Sequence, residues 1–230
     1  RTFFNTLWIS LNTLLFSFPA PIILAIMINE LRLKKYARVV QTISYLPHFI
    51  SLVVICSLVN EFTSKNGIVT QILSVFGFPE IYMLNEPSLF VPIYVGSSIW
   101  QGCGWDSIIY LAALAGIAPE LYEAAKIDGV GRLQKIYYIT IPCIVPAIVV
   151  MLILRIGGIM NVGYEKIILL QNTANYSTSD VISSFVYRRG IVDRSYSFSA
   201  AVGLFNSVIN CVLLFGSNWF SKKIGANGLW

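Results

Sequence analysis

Charge is missing from long stretches of this chain. Thr2 to Asn29 carries none, and Val39 to Asn60 carries none apart from neutral His48. Pro87 to Leu114 is interrupted only by Asp106, Ile136 to Gly163 only by Arg155, and Ser195 to Ser221 is again uncharged. A hydrocarbon core takes about 20 helical residues. Each run is long enough to span as a helix and too long for a barrel strand. Ile22 through Ile28 is apolar on every face, so the alternation of a barrel strand is absent. The pattern predicts spanning helices over about 3–29, 39–60, 87–113, 140–163 and 197–220, with a polar connector at 115–139, in one all-α membrane domain covering 1–230. Prolines recur in these runs (Pro19, Pro21, Pro47, Pro92, Pro142, Pro146) and predict kinks.

Polar residues inside the runs fall on faces. Thr6, Ser10, Thr13 and Ser17 share one side of the first helix, and Ser199, Gly203, Asn206 and Asn210 one side of the last. Such faces serve helix packing through small and hydrogen-bonding residues, or they line a partly wet path. In the second reading Asn206 and Asn210 join Trp100 and Gln101, since an aromatic beside an amide suits a sugar ring. Asp106 and Arg155 sit well inside their runs, where an isolated charge costs about 2.5–3.5 kcal/mol or more. Either they form a salt bridge across adjacent spans, or they line a path for an acidic or polar sugar. His48, after Pro47, is expected to be buried against neighbours.

Composition narrows the class. Of 230 residues, 56% are hydrophobic and 12% charged, with mean hydropathy +0.72. A soluble domain has roughly twice that charge, and a disordered chain is rich in charge and poor in apolar groups. Cys56, Cys103, Cys143 and Cys211 form no CxxC pair and read as small hydrophobes. Cations concentrate on one side: Arg32, Lys34, Lys35 and Arg38, then Lys126, Arg132 and Lys135, then Lys222 and Lys223. The other side holds Lys65, Lys166, Arg188, Arg189 and Arg194, with Arg1. The positive-inside rule puts the first group, and the C-terminus, in the cytoplasm. Arg1 then lies outside, and a preceding span is expected in a six-span parent.

The most specific stretch runs from Pro119 through Glu120, Tyr122, Glu123, Ala124, Ala125 and Asp128 to Gly129. Proline suits the first helical position, the glutamates suit the positive end of the helix, and Gly129 permits a left-handed stop. A helix this short is unstable alone, so it must dock. The paired alanines predict a flat surface that a partner can approach.

Glu123-Ala124-Ala125, Asp128-Gly129, Ile139, Pro142 and Pro146 resemble the signature of the membrane subunits of binding-protein-dependent ABC importers. Val130 and Ile141 depart mildly from it. Asn5-Thr6-Leu7, Phe18-Pro19-Ala20-Pro21, Tyr45 to Ser51, Ile109 to Leu114, Ser179 to Ile182 and Tyr187 to Gly190 extend the likeness to an LplB-type branch of the maltose-transporter class of sugar importers. The resemblance implies a type I importer membrane fold in a bacterial cell membrane. It implies a second homologous permease, two ATPase subunits holding ATP and Mg, an extracellular solute-binding protein and an oligosaccharide cargo. Tyr122, Glu123, Ala124, Ala125, Asp128 and Gly129 would form the helix coupled to an ATPase, and this chain would bind no cofactor or metal.

No nucleophile elbow, Walker A loop, HExxH motif or nucleic-acid stripe occurs, so no catalytic residue and no nucleic acid partner is expected. The loop from Tyr164 to Ser197 is expected to close the mouth of the bundle, or to meet the binding protein through Arg188, Arg189 and Arg194. A non-sugar cargo (a peptide or lipoprotein-related solute) and an ion-coupled carrier using Asp106 and Arg155 remain the competing functions.

Overall fold

The computed structural model describes residues 1–31, 33–223 and 228, so Arg32, one of the orienting cations, lies outside the described residues. Among the described residues every regular element is helical. Thr2–Asn29, Arg132–Gly157 and Tyr196–Lys223 are each long and apolar enough to cross a membrane unbroken. Two further helix pairs are apolar and long enough only when taken together across a sharp bend, Lys34–Phe49 with Leu52–Phe62 at 99° and Pro87–Ala115 with Pro119–Ile127 at 70°. In the second pair Phe90–Ala115 carries the apolar run, and Pro119–Ile127 is the connector helix beyond the bend.

Proline explains the irregularities. Its ring crowds the carbonyl four residues back and it donates no hydrogen bond. Ahead of Pro19 and Pro21 the helix widens into a π turn over Thr13–Ser17, and ahead of Pro142 it does so over Ile136–Thr140. Both helices continue through the wider turn. Pro92 falls in the first turn of Phe90–Ala115, where no donor is lost. Pro47 acts differently. Leu46–Phe49 tightens to a 3-10 turn, Ile50 and Ser51 become extended, and Ser51 Oγ accepts from Val54 N at 3.4 Å to start a new helix. The apolar run 39–60 is therefore divided. The run 140–163 also differs from its expected bounds: its helix starts at Arg132 and leaves at Gly157, and the residues to Gly163 turn back.

Phe90–Ala115 is the central helix. Pro19–Asn29 packs along its later half, where Ala25, Tyr110, Leu114 and Ile144 form one core. Ile9, Ile55, Phe90, Tyr94 and Ile167 belong to a second core around its first half. Lys34–Tyr45 crosses it at Gly104, where an added Cβ would run into the Ser44 carbonyl. Tyr196–Lys223 lies against Ile141–Gly157 and leaves Leu204, Phe205, Val208 and Val212 exposed.

The segment after Gly157 is pinned back onto the bundle. Ser10 Oγ donates to the Ile159 carbonyl at 2.5 Å, and Thr6 Oγ1 accepts from Ile182 N at 2.9 Å. Asn5 donates to the Ser177 and Asp180 carbonyls, both at 3.0 Å, and Asn175 to the Leu84 carbonyl at 2.9 Å. Short helices at Tyr164–Leu170 and Ile182–Tyr187 are held between these anchors.

Candidate cavity and connector helix

Between the two cores lies a cavity of about 560 Å³. The first helix presents Ser10, Thr13 and Ser17 to it, so the hydroxyl stripe turns from packing at Thr6 to lining beyond it. The central helix contributes Tyr94, Ser98, Gln101 and Asp106, and Arg155 and Lys166 complete the charged part of the wall.

Arg155 Nη2 donates to Asp106 Oδ2 at 2.5 Å. The side chains are 48% and 31% exposed, which places the pair against the cavity and not in a dry helix interface. His48 also lines the cavity. It is exposed, contrary to its expected burial, because the break after Pro47 turns its ring outward to lie flat on Trp105 at 4.5 Å, 1° from parallel.

Asp106, Arg155 and the face of Ser10, Thr13 and Ser17, for each of which lining is one of two readings, do reach this cavity. Of Trp100, Gln101, Asn206 and Asn210, Gln101 alone does so. Trp100, one position earlier and so about 100° round the helix, is 45% exposed and absent from the lining. Asn206 and Asn210 also stand outside it. Asn210 is occupied as a clamp: its Oδ1 accepts from Met160 N at 3.2 Å and its Nδ2 donates to Asn161 Oδ1 at 3.1 Å. Asn210 of the last helix's polar stripe thus serves packing near the turn that follows Gly157.

Two outer cations have internal roles. Arg188 donates to Asp180 at 2.7 Å and stacks on Tyr176, so it is not free to meet a partner protein; Arg189 and Arg194 are exposed. Lys166, expected as an ordinary loop cation, is buried with its Nζ donating to Ser98 Oγ at 2.7 Å and lying 5.0 Å from the Tyr94 ring centre.

A second surface surrounds Pro119–Ile127. Proline occupies the first turn, and the helix ends at Gly129 with φ +70°, where Val130 N donates to the Ala125 carbonyl at 2.9 Å. Glu123, Ala124, Asp128 and Gly129 face outward, with Ile127 86% exposed beside them. Two residues of the expected surface turn inward. Ala125 is only 5% exposed, since neighbours on a helix point about 100° apart. Tyr122 meets Thr140 Oγ1 through its hydroxyl at 3.3 Å, with the Lys135 ammonium over its ring.

Glu30 fastens this connector to the end of the first helix. Its Oε2 accepts from Arg132 Nε at 2.9 Å, its Oε1 lies 3.3 Å from Lys135 Nζ, and its carbonyl accepts from Arg132 Nη2 at 2.7 Å. Sequence reasoning missed Glu30. Its signal was being the one acid in the basic connector Glu30–Arg38. Among the described residues no three His, Cys, Asp or Glu side chains gather to hold a metal ion.

Known proteins share this architecture. The chain is 42% identical over 226 residues to Protein LplB of Bacillus subtilis (strain 168), covering 98% of this chain and 71% of the relative. It is 39% identical over 227 residues to the polygalacturonan/rhamnogalacturonan transport system permease protein YteP of the same organism, with the same coverage. A chain in the crystal structure of a bacterial alginate ABC transporter, in complex with alginate pentasaccharide-bound periplasmic protein, matches with TM-score 0.94 and 48% identity over 100% of this chain and 80% of that one. The family model described as the binding-protein-dependent transport system inner membrane component matches residues 12–226, and with helices, hydroxyl-lined cavity and exposed connector helix in place, the chain belongs to that family.

Proposed function

We propose that this chain is a permease subunit of an ATP-driven importer, lining with a second permease the path of an oligosaccharide handed over by an extracellular binding protein. The observation that carries the reading is the cavity: hydroxyls, two amides and charges gathered among apolar membrane helices. Sugar hydroxyls exchange hydrogen bonds with such walls, and the His48–Trp105 stack offers an apolar face for a ring.

The chain is a transport subunit, and ATP with its magnesium belongs to two ATPase partners. Glu123, Ala124, Asp128 and Gly129, with the C-terminus on the same cytoplasmic side, form the surface that an ATPase cleft grips. Tyr122, Ala125 and Glu30 act behind that surface and tie it to the spans. Closure of the ATPases pulls the helix, and the spans rock between inward-open and outward-open states around the cavity.

Ala124→Trp puts a bulky group on the outward face, and Gly129→Val demands a left-handed turn that a Cβ disfavours by about 1–2 kcal/mol. Both variants should insert normally, lose labelled-oligosaccharide uptake and retain less ATPase in a pull-down. Wild-type uptake with full ATPase retention in Ala124→Trp would refute the coupling role. Uptake persisting without ATPase subunits would favour an ion-coupled carrier using Asp106 and Arg155.

A further inference from the structure

Lys166 is the unusual group of the cavity wall. Its side chain is carried inward by the short helix Tyr164–Leu170, and the residue is 6% exposed. Burial pushes its ammonium down to about 8, so the charged form still prevails at neutral pH. A buried ammonium is costly unless paired with an opposite charge. Its contacts are the Ser98 hydroxyl and the face of Tyr94, both neutral, with the Cys56 thiol nearby. Among the described residues no carboxylate pairs with it. Glu165 is exposed, and Asp106, the one carboxylate of the cavity, is taken by Arg155. Lys166, Ser98 and Tyr94 all line the cavity. The wall therefore holds one unmatched positive charge, fixed by a hydrogen bond and a ring, beside space for a saccharide.

We infer that Lys166 is a subsite for a carboxylate carried on the transported sugar, so that the permease itself favours oligosaccharides containing uronic acid. The inference rests on the oligosaccharide reading. A ring carboxylate arriving in the cavity completes the ion pair that the protein leaves open, with Ser98 and Tyr94 holding the ammonium in place. A neutral sugar leaves the charge uncompensated and gains nothing from it. The site works only while the ammonium is protonated. The titratable and charged groups near it are Tyr94 and Cys56, and Asp106, Arg155 and His48 share the cavity wall.

The test uses the complete transporter in proteoliposomes, with its second permease, ATPases and cognate binding protein, and two probes: tetragalacturonate and its fully methyl-esterified form. Lys166→Met keeps the side chain's length and removes its charge. It should lower initial uptake of the acid about tenfold or more while the ester stays within about twofold, as expected when one partner of a buried charge pair is lost. Lys166→Arg should retain acid uptake, and Lys166→Gln should repeat the Met result if that variant assembles poorly. Wild-type uptake of the acid should fall as pH rises through about 8, with the ester unaffected. Equal loss of both probes, or of neither, in Lys166→Met and Lys166→Gln overturns the subsite. So does wild-type uptake of the ester alone. Wild-type uptake of neither probe overturns this inference, and refusal of a panel of neutral oligosaccharides as well overturns the oligosaccharide reading.

Discussion

Asp106 and Arg155 would each be expensive if left alone in an apolar helix. Paired at the cavity edge and partly exposed, they no longer are. Removing one partner strands the other, whereas removing both does not. Asp106→Asn and Arg155→Gln should each lower the melting temperature of the purified transporter. The double variant should recover most of the loss, with a coupling on the order of 1 kcal/mol, since exposure weakens the pair. A double variant as damaged as the two singles added together would sink the pairing role. That both charges needed a partner was legible from their places in the runs 87–114 and 136–163. That Lys166 would lack one was not, because in sequence it is a loop cation like Lys65. Its burial comes from residues distant in the chain, Tyr94 and Ser98, meeting the helix Tyr164–Leu170.

The helix Pro119–Ile127 is too short to hold itself. Its support comes from Tyr122 on Thr140 and from the Glu30 clasp on Arg132 and Lys135, which spans 102 positions of sequence to Arg132. The clasp joins the end of the first helix to the connector, so under the proposed coupling role it would carry a pull on the helix into the bundle. Glu30→Gln keeps a neutral hydrogen-bond acceptor and loses both ion pairs. It should leave ATPase binding near normal but reduce uptake per ATP hydrolysed several-fold, measured as the ratio of labelled cargo to released phosphate. An unchanged ratio would make the clasp a passive surface contact. The helix, its proline start and its Gly129 stop follow from local chemistry and were readable. Which alanine faces out was not: Ala124 and Ala125 are equivalent in composition, and only the packing of the connector on the spans separates them.

At the scale of the whole molecule, the cations Lys126, Arg132 and Lys135 lie around the exposed helix, whereas Arg189 and Arg194 follow the segment pinned to the first helix at Thr6. With the four native cysteines replaced, Lys126→Cys should react with an impermeant thiol reagent only from the cytoplasmic side, and Arg194→Cys only from outside. Labelling of both from one side would overturn the orientation.

The sequence by itself determined the membrane class, the places of the apolar runs, the connector helix with its stop, and the likeness that led to the family. These depend on composition and near-neighbour spacing, and the bilayer and the backbone enforce them locally. Only the tertiary structure decided that Pro47 divides a run while Pro19 and Pro142 merely widen a turn. It alone decided that Gln101 lines the cavity while Trp100, Asn206 and Asn210 do not, and that Lys166 stands buried with no carboxylate partner among the described residues. The environment of a side chain is set by elements remote in sequence that converge in space. Burial, hydrogen-bond partners and unpaired charge are properties of that convergence.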